Sequence, residues 1–136
     1  MNNGRFSISI HILTLLARAG NDLLSSEYIA GSVNINPVLV RKELINLRKH
    51  GLIVSKEGKS GGSMLARPAD RILLSSVYQA VRQNPLLGQQ KNLPNPACPV
   101  GRRINEHLDR LYQDAEEALL RNLGSVTLAD FSRRFE

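Results

Sequence analysis

The sequence predicts a mainly α-helical chain with a small β-hairpin and one long helix near its C-terminus. Three observations carry that reading. Residues 24–68 run as a short helix, a turn, a second helix and a glycine-rich hairpin. Residues 101–123 repeat apolar side chains at the period of a packed helix seam. The 42% apolar content of the 136 residues is enough for one core, and with only 4% aromatic residues that core must be built from Leu, Ile, Val and Ala.

Composition narrows the function before any motif is read. The formal net charge of +6 is unevenly placed: residues 36–71 hold eight basic and three acidic side chains, whereas residues 99–136 hold six and seven. Positive charge concentrated on one stretch favours a phosphate-bearing partner. No run approaches the roughly 18 apolar residues of a membrane span, and the N-terminus lacks a signal-like pattern, so a cytoplasmic protein without a membrane partner is expected. The single cysteine, Cys98, excludes an internal disulfide and argues against structural zinc; no metal and no cofactor are expected. Gly58-Lys59-Ser60 is not a nucleotide-binding loop, because the earlier glycine such a loop needs falls on Ile53. With no Ser/His/Asp set, HExxH or CxxC motif either, an enzyme is not expected.

The elements follow in order. Residues 6–19 place Phe6, Ile10, Leu13 and Ala17 on one helix face, broadened by Ile8, Ile12, Leu15 and Leu16; His11, within that surface, reads as a structural histidine. Gly20-Asn21-Asp22 stops the helix. Ser25 or Ser26 caps a short helix to about Ser32, with Tyr28, Ile29 and Val33 as its apolar side. Asn36-Pro37 starts the next, because Asn caps free N–H groups and Pro is tolerated at the first helical position. Val40, Leu44 and Leu47 then face the core, while Val38, Arg41, Lys42, Ile45, Arg48 and Lys49 cover the rest; Gly51 ends the helix. Residues 52–56 and 63–67 form the hairpin, whose tip exposes Lys59 and the backbone N–H groups of Gly61 and Gly62 to a phosphate. Ser75 is the expected cap of a helix carrying Val77, Tyr78 and Val81, ended by Asn84-Pro85. Residues 86–100, with three of the chain's prolines, two glutamines and Cys98, read as an exposed loop.

In the long helix from about residue 101 to 123, Ile104, Leu108, Leu111, Ala115 and Ala118 recur at spacings of 4, 3, 4 and 3. A helix of some 20 residues spans about 30 Å, longer than a small core needs, so part of this stripe is left to cover a second copy; the alternative is that it covers the N-terminal helix of its own chain. Thr127 with Asp130 reads as a capping box, and Val126 with Phe131 as a hydrophobic staple, for one last short helix.

Together these segments resemble the Rrf2 family of bacterial regulators. The matches are NPVLVRKELINLRKHGLI in the second helix, SKEGKSGGSMLARP at the hairpin, ILLSSVYQAV after it, and CPVGRRINEHLDRLYQDAEEALLRNLGSVTLADF across the long helix. They cover nearly the whole chain, and the glycine-rich hairpin followed by LARP is the most specific. The resemblance implies a winged helix-turn-helix protein that binds DNA as a homodimer. It also implies, for some members, an iron–sulfur cluster on three regularly spaced cysteines. Cys98 matches the middle one, but Asn92 and Ile104 stand at the flanks, and neither supplies a thiolate. Cys98 is left as a possible redox-sensing thiol, with Arg102 and Arg103 nearby to favour its thiolate.

The expected function is a DNA-binding transcriptional regulator, a homodimeric repressor reading a pseudo-palindrome in double-stranded DNA through helix 36–50 and wing 57–62. Pro37 and Val38 lie at the base-reading end of the helix, with Val38 suited to a thymine methyl and Arg41 and Lys42 to guanine or phosphate. Ser25, Ser26 and Arg48 are candidate backbone contacts, and Lys59, Ser60 and Gly61 form the wing tip. The expected division is a DNA-binding domain at 1–83, a loop at 84–101, and at 102–136 a dimerisation helix and a C-terminal helix packed back on the core. An alternative is a protein-interaction adaptor on the same scaffold, which the basic segment does not suit. No small-molecule effector can be named at this level.

Overall fold

A computed structural model describes residues 4–88 and 92–136 of the chain. Gln89, Gln90 and Lys91 of the expected loop lie outside the described residues, as do residues 1–3 of the expected N-terminal domain. Among the described residues six α-helices and one hairpin follow in order: α1 (Arg5–Ala19), α2 (Ser26–Val33), α3 (Pro37–Lys49), β1 (Ile53–Lys56), β2 (Gly62–Leu65), α4 (Leu74–Val81), α5 (Ile104–Leu123) and α6 (Leu128–Ser132). Short 3₁₀ turns occupy Ala69–Arg71 and Arg133–Phe135. The fold is mainly helical with a small antiparallel wing and a long helix near the C-terminus, as the sequence predicts.

α1 is the central element. Ile12, Leu13 and Leu16 are fully buried, and α2, α3, β2, α4 and α6 all pack on it. Ile29 from α2, Val40 and Leu47 from α3, Ile53 from β1, Val77 from α4 and Leu128 from α6 close the same core. Tyr28 departs from expectation: it points outward at 60% exposure, because Ile29 and Ala30 take the inner side of α2. Ser9 is fully buried on α1, and its hydroxyl has no hydrogen-bond partner among the described residues. An orphaned buried hydroxyl costs about 1–3 kcal/mol, so Ser9→Ala is expected to stabilise the fold by about 1 kcal/mol. Thermal unfolding checks this; a lower melting temperature would count against it.

The hairpin pairs Ile53 with Leu65 through Lys56 with Gly62. The strands are shorter than expected: the Leu52 N–H turns back to the Leu47 carbonyl at 3.0 Å, which leaves the Ala66 N–H to Leu52 carbonyl bond, also 3.0 Å, as the last link between them. Leu24, just before α2, adds a bridge on the outer side of β2, with its N–H to the Ser63 carbonyl at 3.0 Å and the reverse bond at 2.9 Å. That bridge explains the last wing glycine, since a Cβ on Gly62 would sit 2.6 Å from the Leu24 carbonyl oxygen. At Gly61 a Cβ would meet the Lys56 carbonyl oxygen at 2.0 Å, so the turn closes only without a side chain there.

α4 begins at Leu74, not behind a Ser75 cap; the residue in the capping position is Leu73, which offers no side-chain oxygen. The work of a cap passes to a distant strand-like bridge. Leu73 pairs with Thr127, the Leu74 N–H bonds the Val126 carbonyl at 3.0 Å, and the Leu128 N–H bonds the Ile72 carbonyl at 2.8 Å. The helix ends at Val81, earlier than Asn84-Pro85. α5 starts at Ile104, after turns that begin around Cys98, and none of its residues is buried. Its inner contacts are with α4: the Tyr78 hydroxyl donates to Glu116 at 3.3 Å, and Arg82 pairs with the same carboxylate. Burial and the Glu116 charge raise the Tyr78 pKa. The capping box at Thr127 and Asp130 is complete, each side chain accepting the other residue's backbone N–H. The Thr127 backbone N–H, and then its hydroxyl, hold the Asp130 pKa below its usual value, so the cap's contribution is present at neutral pH and fades as pH falls through that lowered value.

Candidate nucleic-acid interface

The local chemistry of residues 24–67 positions a reading helix beside a wing. Ser25 Oγ accepts the Tyr28 N–H at 3.1 Å and caps α2. Asn34 takes a left-handed conformation (φ 64°) that turns the chain, and Asn36 Oδ1 accepts the Val38 N–H at 2.8 Å to open α3 with Pro37 in its first turn. Three anchors then fix α3. Its apolar side, Val40, Leu44 and Leu47, enters the core. Asn46 Nδ2 donates to the Ala80 carbonyl at 2.9 Å. Glu43, 6% exposed, takes both the Nε and a terminal N–H of Arg5, at 2.8 and 3.1 Å; that hydrogen bond raises the Arg5 pKa further and keeps its charge fixed.

What remains outward on α3 is Val38 (59% exposed), Leu39, Arg41, Lys42, Ile45, Arg48 and Lys49. Apolar and cationic groups together on one exposed face suit base methyls and phosphates, and are poorly explained by solubility alone.

An open groove of about 420 Å³ runs between α2, α3 and the wing. It gathers Ser25, Ser26, Arg41, Arg48 and Gly61 of the expected site, together with Lys56, which sequence reasoning left out. Pro37, Val38 and Lys42 sit outside this groove toward the start of α3, and Lys59 and Ser60 stand exposed at the wing tip. One expected detail fails: the Gly61 N–H is not free for a phosphate, because it closes the turn onto the Gly58 carbonyl at 3.0 Å. Glu27 was also missed. It meets Arg41 at 3.5 Å, with both side chains at least half exposed; such a pair is worth under about 1 kcal/mol, so a phosphate or base can replace it. A carboxylate two residues past a capping serine carries no sequence signal of that contact.

A family model described as an iron-dependent transcriptional regulator, Rrf2, matches residues 2–134. The chain belongs to the Rrf2 family. Among named relatives, YwnA of Bacillus subtilis, named as an HTH-type transcriptional regulator, is 40% identical over 130 residues, covering 96% of each chain. A crystal structure reported under the description of a DNA binding protein superposes with a TM-score of 0.75 at 35% identity, over 93% of this chain and 97% of that one. IscR of T. potens gives a TM-score of 0.74 at 20% identity, over 100% of this chain and 88% of that one, a likeness of fold.

This Rrf2 protein is thus a DNA-binding transcriptional regulator and not an enzyme. Iron is part of the family description, and the residues here do not fit an iron–sulfur cluster. Cys98 is the single cysteine, Asn92 and Ile104 occupy the flanking positions, and among the described residues no three His, Cys, Asp or Glu side chains converge to hold an ion. Cys98 is exposed, and its sulfur accepts the Gly101 N–H at 3.4 Å. Among the described residues no helix is long and apolar enough to cross a membrane.

Proposed function

We propose that this regulator represses transcription as a homodimer that reads a pseudo-palindromic operator in double-stranded DNA. The observation that carries the reading is the outward face of α3, with Val38, Arg41, Lys42 and Arg48 beside an exposed wing tip. In this reading residues 1–83 form the DNA-binding part and residues 84–101 a loop, while residues 102–136 couple the two copies and pack back on the core. α3 enters the major groove, Ser25, Ser26 and Arg48 grip the backbone, and Lys59 and Ser60 reach the neighbouring minor groove or its phosphates. Ile104, Leu108, Leu111, Ala115 and Ala118 form the seam between copies, which sets the half-sites a whole number of turns apart.

Selection from a random duplex library, followed by binding measurements at several salt concentrations, tests this. A palindromic motif and a steep salt dependence are expected; no enrichment at any salt would sink the reading. Arg41→Ala is expected to cost about 1–3 kcal/mol on the selected site and to relax its sequence preference. Lys59→Ala should weaken selected and scrambled duplexes alike and lower the salt slope by about 1. Equal behaviour of the two variants would remove the division between reading and gripping residues.

Control through Cys98 is a second reading, supported by its exposure and by the Gly101 N–H aimed at its sulfur. The same selection after mild oxidation, with Cys98→Ser as control, decides it: a motif lost only in the oxidised wild type supports thiol control, and an unchanged motif removes it.

A further inference from the structure

A second cavity, of about 550 Å³, opens between α1, the last turn of α2 and the C-terminal residues 131–135. That size is ample for a small ligand. Its wall has two characters. Ser7, His11, Thr14 and Arg18 recur at spacings of 4, 3 and 4 along α1 and line it as one polar stripe. Phe6, Phe131 and Phe135 supply aromatic surface, and the last two rings pack at 5.5 Å.

The hydrogen-bonding state of the stripe selects the ligand. Ser7 donates to the Gly4 carbonyl at 2.9 Å and Thr14 to the Ile10 carbonyl at 2.7 Å, while His11 Nε2 and Ser32 Oγ pair at 3.0 Å. Arg18 has no hydrogen bond or ion pair among the described residues, and no acidic side chain lines the cavity. The outcome is an apolar, aromatic space with one unmatched guanidinium.

We propose that this cavity binds a small aromatic monocarboxylate, with its ring against Phe131 and Phe135 and its carboxylate on Arg18. Guanidinium and carboxylate match in charge and in planar geometry. The site is joined to the reading unit through the His11–Ser32 hydrogen bond, which ties α1 to the end of α2 just before the Asn34 turn into α3. A ligand that favours one setting of α1 against α2 biases the position of α3 by its difference in affinity for the two settings. This regulatory half rests on the DNA-reading function proposed above; the binding half does not.

Naphthalene-1-acetate, titrated calorimetrically into the full chain, tests the site, with naphthalene-1-acetamide as its uncharged isostere. The acid should bind more tightly than the amide. Arg18→Gln should weaken the acid about tenfold or more and leave the amide unchanged, and Phe135→Ala should weaken both. Both residues are exposed, so the variants keep the core. Equal affinity of acid and amide, or no binding of the acid to wild type, would overturn the site. Binding that emerges only in a monomeric Leu111→Glu variant would also overturn it, by assigning the cavity to a second copy. Operator affinity is measured first without ligand, a separate test of DNA reading. It is measured again with saturating acid, where a change of about fivefold or more is expected; an unchanged affinity overturns the regulatory half.

Discussion

Leu111→Glu is expected to convert the protein from dimer to monomer and to weaken operator binding by about a hundredfold or more, the loss that follows when two linked half-site contacts become independent. The argument begins at α5. It is 20 residues long, none of them buried, and Leu111 at 58% exposure stands in the middle of the Ile104 to Ala118 stripe. On the α4 side Glu116 takes Tyr78 and Arg82. In the stripe Ile104, Leu108 and Ala115 are half-buried while Leu111 and Ala118 are exposed, and a helix partner covers that exposed part best. A carboxylate placed in that seam would be desolvated without a partner. Because Leu111 is exposed in the single chain, the monomer should keep its helical circular dichroism. Sedimentation velocity and operator titration read the two consequences. A variant that remains dimeric at micromolar concentration would show that α5 is not the coupling element.

Arg5→Ala should destabilise the fold by about 3 kcal/mol, because removing one partner of a buried ion pair strands the other. The stranded group is Glu43, whose side chain is 8% exposed and whose two oxygens are both taken by Arg5. The Arg5 side chain is itself only 18% exposed, so water replaces little of what it supplies. Glu43 lies on the inner face of α3 between Val40 and Leu47, so its relaxation toward water would also tilt the reading helix. Urea unfolding of Arg5→Ala, Glu43→Leu and the double variant Arg5→Leu/Glu43→Leu separates the terms. The double variant is expected to recover most of the loss, since well-packed apolar replacements of buried pairs are often neutral. A single variant within about 0.5 kcal/mol of wild type, the range of an ordinary surface change, would show that the pair carries no structural load.

The parts of the fold legible in the sequence were those with local causes. Asn36-Pro37 opened α3, Gly51 closed it, Val40, Leu44 and Leu47 chose its inner face, and Thr127 with Asp130 started α6. Each depends on residues within one or two turns. The misses depend on residues far apart in the chain. Ser75 carries cap chemistry, but the first amide of α4, that of Leu74, was met by the Val126 carbonyl. The Gly61 N–H was spent inside the wing turn. Arg5 and Glu43 gave no sign of each other, because no periodicity links α1 to α3. In the candidate interface, the residue types and the helix that bears them were readable; the Glu27–Arg41 contact and the place of Lys56 in the groove required the packing of α2 against the wing.

The bridge between Leu73 and Thr127 has a consequence for how the molecule can vary. From Leu73 the chain first passes through α4, which stays in the core, then runs through the loop and α5 and returns beside Leu73 at Thr127, where two main-chain hydrogen bonds pin the two strands together. The part beyond α4 behaves as a bracketed insert. Its length can change at little entropic cost, since closure entropy grows only slowly with loop length, and the bracket holds the helix-turn-helix and wing in place while it does. Spacing between paired copies can then drift independently of what each copy reads, so operator geometry and operator sequence are separately adjustable traits of one small chain.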